Sequence, residues 1–203
     1  MIELLLSHTD YLIRGFAINL LISVLSMGLG TVLGGALGWL RAQRVTALGS
    51  VAHMGTNVCR NVPSFVLLFY MASMIPSEVT ISGTIMAVPL WIKATLALTF
   101  PVVGFTSDQS RGYFAQRMAG LTGARETFVV AWVQYFLIIL MASATASVIG
   151  ADEIVGRANI VISQNESPQF LLLTYLYVSF WFLAAGLALT SAARLLTGRR
   201  GVT

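Results

Sequence analysis

Long apolar stretches separated by short polar ones run the length of this chain, and five of them have the length of a membrane crossing. They cover residues 16–40, 58–76, 84–105, 127–149 and 169–193. About 20 apolar residues in helical conformation cross the hydrocarbon of a bilayer, so each run is predicted as a transmembrane helix. The second is the shortest: its apolar part is Pro63 to Ile75, extended back to Val58 with Arg60 snorkelling to the interface. The third carries Lys93 at its predicted middle, and Pro89 and Pro101 interrupt it. Asp152, Glu153 and Arg157 sit between the fourth and fifth runs, as in a loop or short surface helix at one membrane face. The pattern predicts an all-α membrane protein with one domain over 1–203.

Composition agrees. The chain is 57% hydrophobic and only 10% charged, with mean hydropathy +0.82, where a soluble domain averages about 25% charged residues. The first apolar run, Ile2 to Leu6, is too short for a cleavable signal, and no small-residue cleavage site follows it. The single cysteine, Cys59, excludes an internal disulfide, and His8 and His53 have no paired ligand nearby, so no metal is expected. The pI of 9.6 is explained by topology and not by nucleic acid.

The basic residues set the expected orientation. Arg41, Arg44, Arg60, Arg111, Arg117, Arg125, Arg194, Arg199 and Arg200 fall in segments 41–60, 106–126 and 194–203. Segments 1–15, 76–83 and 150–168 hold only Arg14 and Arg157, together with Glu3, Asp10, Glu78, Asp152, Glu153 and Glu166. Cytoplasmic loops are the basic ones. The N-terminus is therefore expected outside and the C-terminus in the cytoplasm.

Few residues could carry chemistry. Lys93 is the one charge deep in a predicted span, at an insertion cost of roughly 2.5–3.5 kcal/mol. It either snorkels from near an interface or faces a polar pathway or an anionic substrate group. Asp108 and Arg111 lie three apart, spaced to pair on one helix face or to form a solvated helix end. Gly30, Gly34 and Gly38 recur at one-turn spacing and bare one helix face for close packing, within the subunit or against another. There is no Gly-rich nucleotide loop, paired-His motif or nucleophile elbow. The chain is read as a non-enzyme without a cofactor, and any ATP-driven step belongs to another subunit.

Three tracts together resemble the inner-membrane permease subunit of polar amino-acid ABC importers, the histidine/glutamine permease type. The first is Gly15 to Gly30, continuing through Gly34 and Gly38 to Arg41. The second is Cys59-Arg-Asn-Val-Pro-Ser-Phe-Val-Leu-Leu68, ending at Ile75-Pro76, where Arg60, Pro63 and Pro76 match the family and Asn61 and Val62 do not. The third, Ser147-Val-Ile-Gly-Ala-Asp-Glu-Ile-Val-Gly-Arg-Ala158, is similar to the family's Ser-Val-Ile-Gly-x-(Asp/Glu)-Glu-Leu. Asp108-Gln-Ser-Arg-Gly112 also looks like the family's Glu-Ile-x-Arg-Gly. On this resemblance Arg60, Pro63, Asp108, Arg111, Asp152 and Glu153 are structural or gating candidates, and substrate would approach the midplane near Lys93.

The departures gather in one place. The family's coupling helix, Glu-Ala-Ala-x-x-x-Gly, finds its nearest match in Arg117-Met118-Ala119-Gly120-Leu121-Thr122-Gly123, with Arg in place of Glu. The interval from Arg111 to Met141 is short, the Leu-Pro after the coupling helix is absent, and Met141-Ala142 replace a Lys-Asp. Segment 112–126 is thus expected to be a cut-down, basic coupling helix. The resemblance implies a permease of the bacterial inner membrane working by alternating access with ATP-binding subunits, a periplasmic solute-binding protein and a second permease chain, a heterodimer being favoured. The alternative is a permease-derived scaffold or sensor that no longer couples to ATP hydrolysis.

Overall fold

A computed structural model describes residues 2–43, 46–81, 83–165 and 167–196. Arg44, Glu166, Arg199 and Arg200, which enter the charge argument above, lie outside the described residues. In chain order the elements are α1 (Ile2–Ser7), α2 (Thr9–Ala42), α3 (Thr46–Asn61), α4 (Ser64–Met74), β1 (Glu78–Ile81), β2 (Thr84–Ala87), α5 (Leu90–Met118), α6 (Ala124–Ser143), a 3-10 turn (Ala144–Ile149), α7 (Ile154–Ser163) and α8 (Pro168–Leu196). Among the described residues four helical stretches are long and apolar enough to cross a membrane: Thr9–Ala42, Leu90–Met118, Ala124–Ile149 and Pro168–Leu195. The first, 34 residues long, extends about 51 Å, against a hydrocarbon core of about 30 Å, so its ends stand clear of the lipid tails.

Prolines set the boundaries that hydropathy alone misplaces. The predicted second span, 58–76, is a broken pair. Pro63 holds φ −61° and ψ 128° and disfavours helix at Val62, so α3 ends at Asn61 and α4 begins at Ser64. Helix α4 has 11 residues and ends at Met74, with Ile75 as its C-cap just before Pro76. The predicted third span starts at Leu90, not Thr84. Residues 84–87 instead pair antiparallel with 78–81, Val79 opposite Met86 and Thr80 opposite Ile85, and Pro89 caps the helix that follows. Helix α5 then runs beyond the predicted Phe105 to Met118.

Helices α2 and α5 form the centre. The most apolar stretch of α5 is 61% buried, whereas that of α8 is 17% buried and lies on the outside of the bundle. Gly30, Gly34 and Gly38 all face α5. A Cβ on Gly34 would stand 2.5 Å from the Val103 carbonyl oxygen, and one on Gly38 would stand 2.6 Å from that of Ser107. On Gly30 it would overlap the Val102 side chain. The glycine face is thus filled within the subunit by α5, whose backbone approaches where side chains are missing. Ser26 Oγ donates to the Thr95 carbonyl across the same contact at 3.0 Å. Pro101 lies inside α5; its carbonyl accepts from Tyr135 Oη at 3.1 Å, and the Tyr135 ring stacks on Phe105 with centroids 3.8 Å apart. These contacts hold α6 against the proline turn.

Candidate functional site

Lys93 lies in the first turn of α5, not at mid-span, and it does not reach the surface: it is 1% exposed. Its Nζ donates to the carbonyls of Ile75 at 2.7 Å and Ala72 at 3.2 Å. These are at the C-terminus of α4, where the last carbonyls have no partner in their own helix and the helix dipole is negative. The missing counter-charge is therefore supplied by a helix end. Sequence reasoning placed Lys93 too deep because it read the β2 strand as part of the span.

The tract between the fourth and fifth runs builds a buried polar node. Glu153 is 0% exposed and is the N-cap of α7, accepting from Val155 N at 3.0 Å and Gly156 N at 2.8 Å. Its Oε2 also accepts from Asn19 Nδ2 of α2 at 2.9 Å. The same Asn19 amide donates to Ser143 Oγ at 2.9 Å, and its oxygen accepts from Ile154 N at 3.0 Å. Burial pushes the Glu153 carboxyl up from its ordinary range, while the bonds from Val155, Asn19 and Gly156 pull the other way and the nearby Asp152 adds to the rise. Asp152 itself is outward and pairs with Arg157 at 2.6 Å. Arg157 continues to the Tyr11 carbonyl at 2.8 Å and lies over the Tyr11 ring at 4.6 Å. Gly15 makes room, since a Cβ there would stand 2.8 Å from Arg157 Cδ. Helix α7 is thereby fastened to the start of α2. Sequence reasoning singled out Asp152 and Glu153 but missed Asn19; the available signal was a lone amide inside an apolar run.

At the opposite end, Asp108 does not pair with Arg111. It accepts from Arg41 Nη1 at 2.8 Å and Arg60 Nη1 at 3.0 Å, joining α2, α3 and α5. The Arg41 side chain is 5% exposed and that of Arg60 54%. Arg41 also donates to Ser107 Oγ at 3.0 Å, which is bonded to Thr56 Oγ1 at 2.7 Å. Arg60 is therefore in the last turn of α3, held by an acid, and not a snorkelling residue at the start of a span. Its position is fixed by Gly104, where a Cβ would stand 2.8 Å from Arg60 N. Pro63 follows as the N-cap of α4. Arg111 is exposed.

Segment 112–126 forms no separate helix. Residues up to Met118 belong to α5, and α6 starts at Ala124. Between them Gly120 (φ 70°) and Gly123 (φ 90°) occupy the left-handed region that glycine tolerates. Leu121 N donates to Gln116 O at 3.0 Å and Gly120 N to Arg117 O at 3.1 Å, the paired bonds of a glycine-terminated helix. Five residues cannot hold a helix and the two reversals it needs, so the expected coupling helix is reduced to a turn. Arg117, Met118, Ala119, Gly120 and Gly123 are all exposed there. Arg117 lies along its own helix, donating to Tyr113 Oη at 3.2 Å.

No family model matches the chain. The probable glutamine ABC transporter permease protein GlnP of Bacillus subtilis (strain 168) is 23% identical over 209 residues, covering 95% of this chain and 95% of that protein. Among solved structures, an amino acid ABC transporter crystallised with histidines superposes with a TM-score of 0.77 at 19% identity, over 96% of each chain. An inward-facing form of the MetNI methionine ABC transporter superposes with a TM-score of 0.68 at 18% identity, over 93% of this chain and 97% of the other. Four helical stretches among the described residues are long and apolar enough to cross a membrane, and the chain has the fold of these ABC transporter structures.

Proposed function

We propose that this chain is a transmembrane permease subunit for the uptake of amino acids or similar small polar solutes across a bacterial inner membrane. It works by alternating access, with separate ATP-binding subunits, a periplasmic binding protein and a second permease chain. The observation that carries the reading is the likeness to a glutamine permease over 95% of both chains. The geometry supports it: α2 and α5 are locked together along the glycine face, Asp108 ties the two at the basic end, and at the other end a buried node ties α2 to the start of α7. Such a body moves as a unit against a partner. The basic end, with Arg41, Arg60, Arg111, Arg117 and Arg125, faces the cytoplasm and the ATP-binding subunits.

A second reading rests on the turn at 119–123. Without a projecting helix the chain has little surface with which to receive force, so it acts as a scaffold or sensor unless a partner permease supplies the coupling helix. Purification from native membranes followed by reconstitution in liposomes separates the two. A transporter subunit copurifies with an ATP-binding subunit and supports ATP-dependent uptake of glutamine or histidine. Arg117→Glu with Gly120→Ala then changes ATP hydrolysis only slightly, because the partner chain carries the coupling. Recovery with membrane partners alone, and no uptake, overturns transport in favour of the scaffold.

A further inference from the structure

We infer that the basic end of the α2–α5 pair holds an anionic phospholipid headgroup. A cavity of about 350 Å³ opens there, lined by Trp39, Ala42 and Gln43 of α2 and Phe114, Arg117 and Met118 of α5. Three observations choose the occupant.

The first is depth. Tyr113 of α5 packs against Phe128 of α6, ring centroids 5.9 Å apart. From Phe128 to Met141 α6 is apolar except for Gln134 and the Tyr135 hydroxyl, so Phe128 stands at the edge of the hydrocarbon. Arg117 is one turn further along α5, about 5.4 Å, and therefore at headgroup level. The turn at 119–123 brings the chain straight back into the membrane and adds no projecting element that would cover the cavity.

The second is charge. The Arg117 guanidinium has five N–H donors, and among the described residues it donates only to Tyr113 Oη. Arg111 and Arg125 are exposed nearby. Of the acids at this end, Asp108 is taken by two arginines, and Glu126 is exposed on α6. Guanidinium matches phosphate by paired hydrogen bonds, and basic pockets between membrane helices bind anionic headgroups.

The third is the apolar surface leading inward. Trp39 is half exposed, with Val32 and Leu29 exposed at 7 and 10 residues before it on the same face of α2. A tryptophan at the interface with an apolar stripe above it accommodates the glycerol and an acyl chain. The lipid thus stands where the family's coupling helix would leave the membrane. The inference holds whether or not the chain drives transport, because its test reads lipid contact and not uptake.

The test uses the full chain in phosphatidylcholine nanodiscs doped with either brominated phosphatidylglycerol or brominated phosphatidylcholine. The signal is the part of tryptophan quenching that Trp39→Phe removes. The expected result is stronger quenching by phosphatidylglycerol, with Arg117→Gln weakening that preference about fivefold and Arg117→Lys keeping most of it. Equal quenching by the two lipids overturns the site. A loss as large in Arg111→Gln or Arg125→Gln as in Arg117→Gln also overturns it, since the effect is then diffuse surface charge. If Arg117→Gln leaves the lipid preference intact but strips an ATP-binding subunit from the purified complex, the cavity is a protein contact and the lipid assignment is wrong.

Discussion

Asn19 and Glu153 stand 134 positions apart in the chain and share a buried hydrogen bond of 2.9 Å. The bond matters because each partner also satisfies other groups. Asn19 serves Ser143 Oγ and Ile154 N as well, so α2, the end of α6 and the start of α7 meet in one amide. Replacing it with alanine leaves Ile154 N without its acceptor and Glu153 short of a donor. Each buried orphan costs about 1–3 kcal/mol. Asn19→Ala is therefore expected to lower the thermal midpoint of the purified protein clearly, and Asn19→Asp to do more, since it sets a second carboxylate against Glu153. Melting in detergent checks both; a midpoint unchanged in Asn19→Ala would show that the node contributes no stability.

Glu153 also gives the fold a pH dependence of definite sign. Its folded pKa is raised by burial above the ordinary value of 4.5, so the folded chain holds the proton more firmly than the unfolded one. The resulting contribution to stability is greatest below 4.5 and is lost as pH rises through the folded value. Glu153→Gln removes the titration but places an amide nitrogen against at least one of the three donors that now point at a carboxylate. The variant is expected to be less stable at neutral pH and to show a flatter stability–pH curve across that window. Melting as a function of pH reads both effects, and an unchanged slope would exclude Glu153 as its source.

The glycines of α2 predict a graded series. At Gly34 the space for a side chain is occupied by backbone: a Cβ there would meet Ser107 N at 3.0 Å and Thr106 Cβ at 2.8 Å as well as the Val103 carbonyl. Backbone cannot step aside as a flexible side chain can. Gly34→Leu should cost at least about 1–3 kcal/mol and reduce the yield of folded protein. Gly28 on the same helix has nothing within 4 Å, so Gly28→Ala should be neutral or slightly stabilising. Size-exclusion yield and melting compare them; equal behaviour of the two would remove tight packing as the reason for Gly34.

What the sequence displayed well was periodic. The spans 16–40, 127–149 and 169–193 lie within helices because apolar length is a one-dimensional property. The face shared by Gly30, Gly34 and Gly38 follows from helical spacing alone. The placement of Lys93 was not legible, because Thr84-Ile-Met-Ala is as apolar as a helix turn, and only its pairing with residues 78–81 makes it a strand. The partner of Asp108 was hidden for a related reason. The spacing to Arg111 is local and visible, whereas Arg41 and Arg60 lie 67 and 48 residues away and arrive through packing. Arg117 at the family's Glu position was visible as a charge reversal, but the closing of 119–123 into a turn by two left-handed glycines required the backbone.

The two arginines on Asp108 should differ in worth. Arg41 is nearly enclosed, and removing its counter-charge leaves a buried guanidinium with only the neutral partners Ser107 Oγ at 3.0 Å and His53 Nδ1 at 3.3 Å. Breaking a buried pair costs about 3–5 kcal/mol. The 34% exposure of the Asp108 side chain puts Asp108→Asn toward the lower part of that range. The Arg60 side chain is more than half exposed, so Arg60→Gln should cost no more than about 1 kcal/mol. Added salt should narrow the difference between wild type and Arg60→Gln but not that for Asp108→Asn. Melting of both variants at low and high salt decides, and equal losses would mean that the three-helix junction is not organised around Arg41.

Orientation can be tested at two turns that the structure separates. The β-hairpin joins α4 to α5 at one end of the bundle, and Ile85 on it is 67% exposed. The turn at 119–123 joins α5 to α6 at the other end, and Thr122 is exposed there. Single cysteines at these positions, in a Cys59→Ala background, should report opposite sides of the membrane. With the basic end in the cytoplasm, a membrane-impermeant thiol reagent applied to cells with a permeabilised outer membrane labels Ile85→Cys and spares Thr122→Cys. Both react once the inner membrane is opened, which shows that the turn is accessible and not merely inert. The reverse pattern would place Arg111, Arg117 and Arg125 on the outer surface, and the proposed docking of ATP-binding subunits at that end of the bundle would then be ruled out.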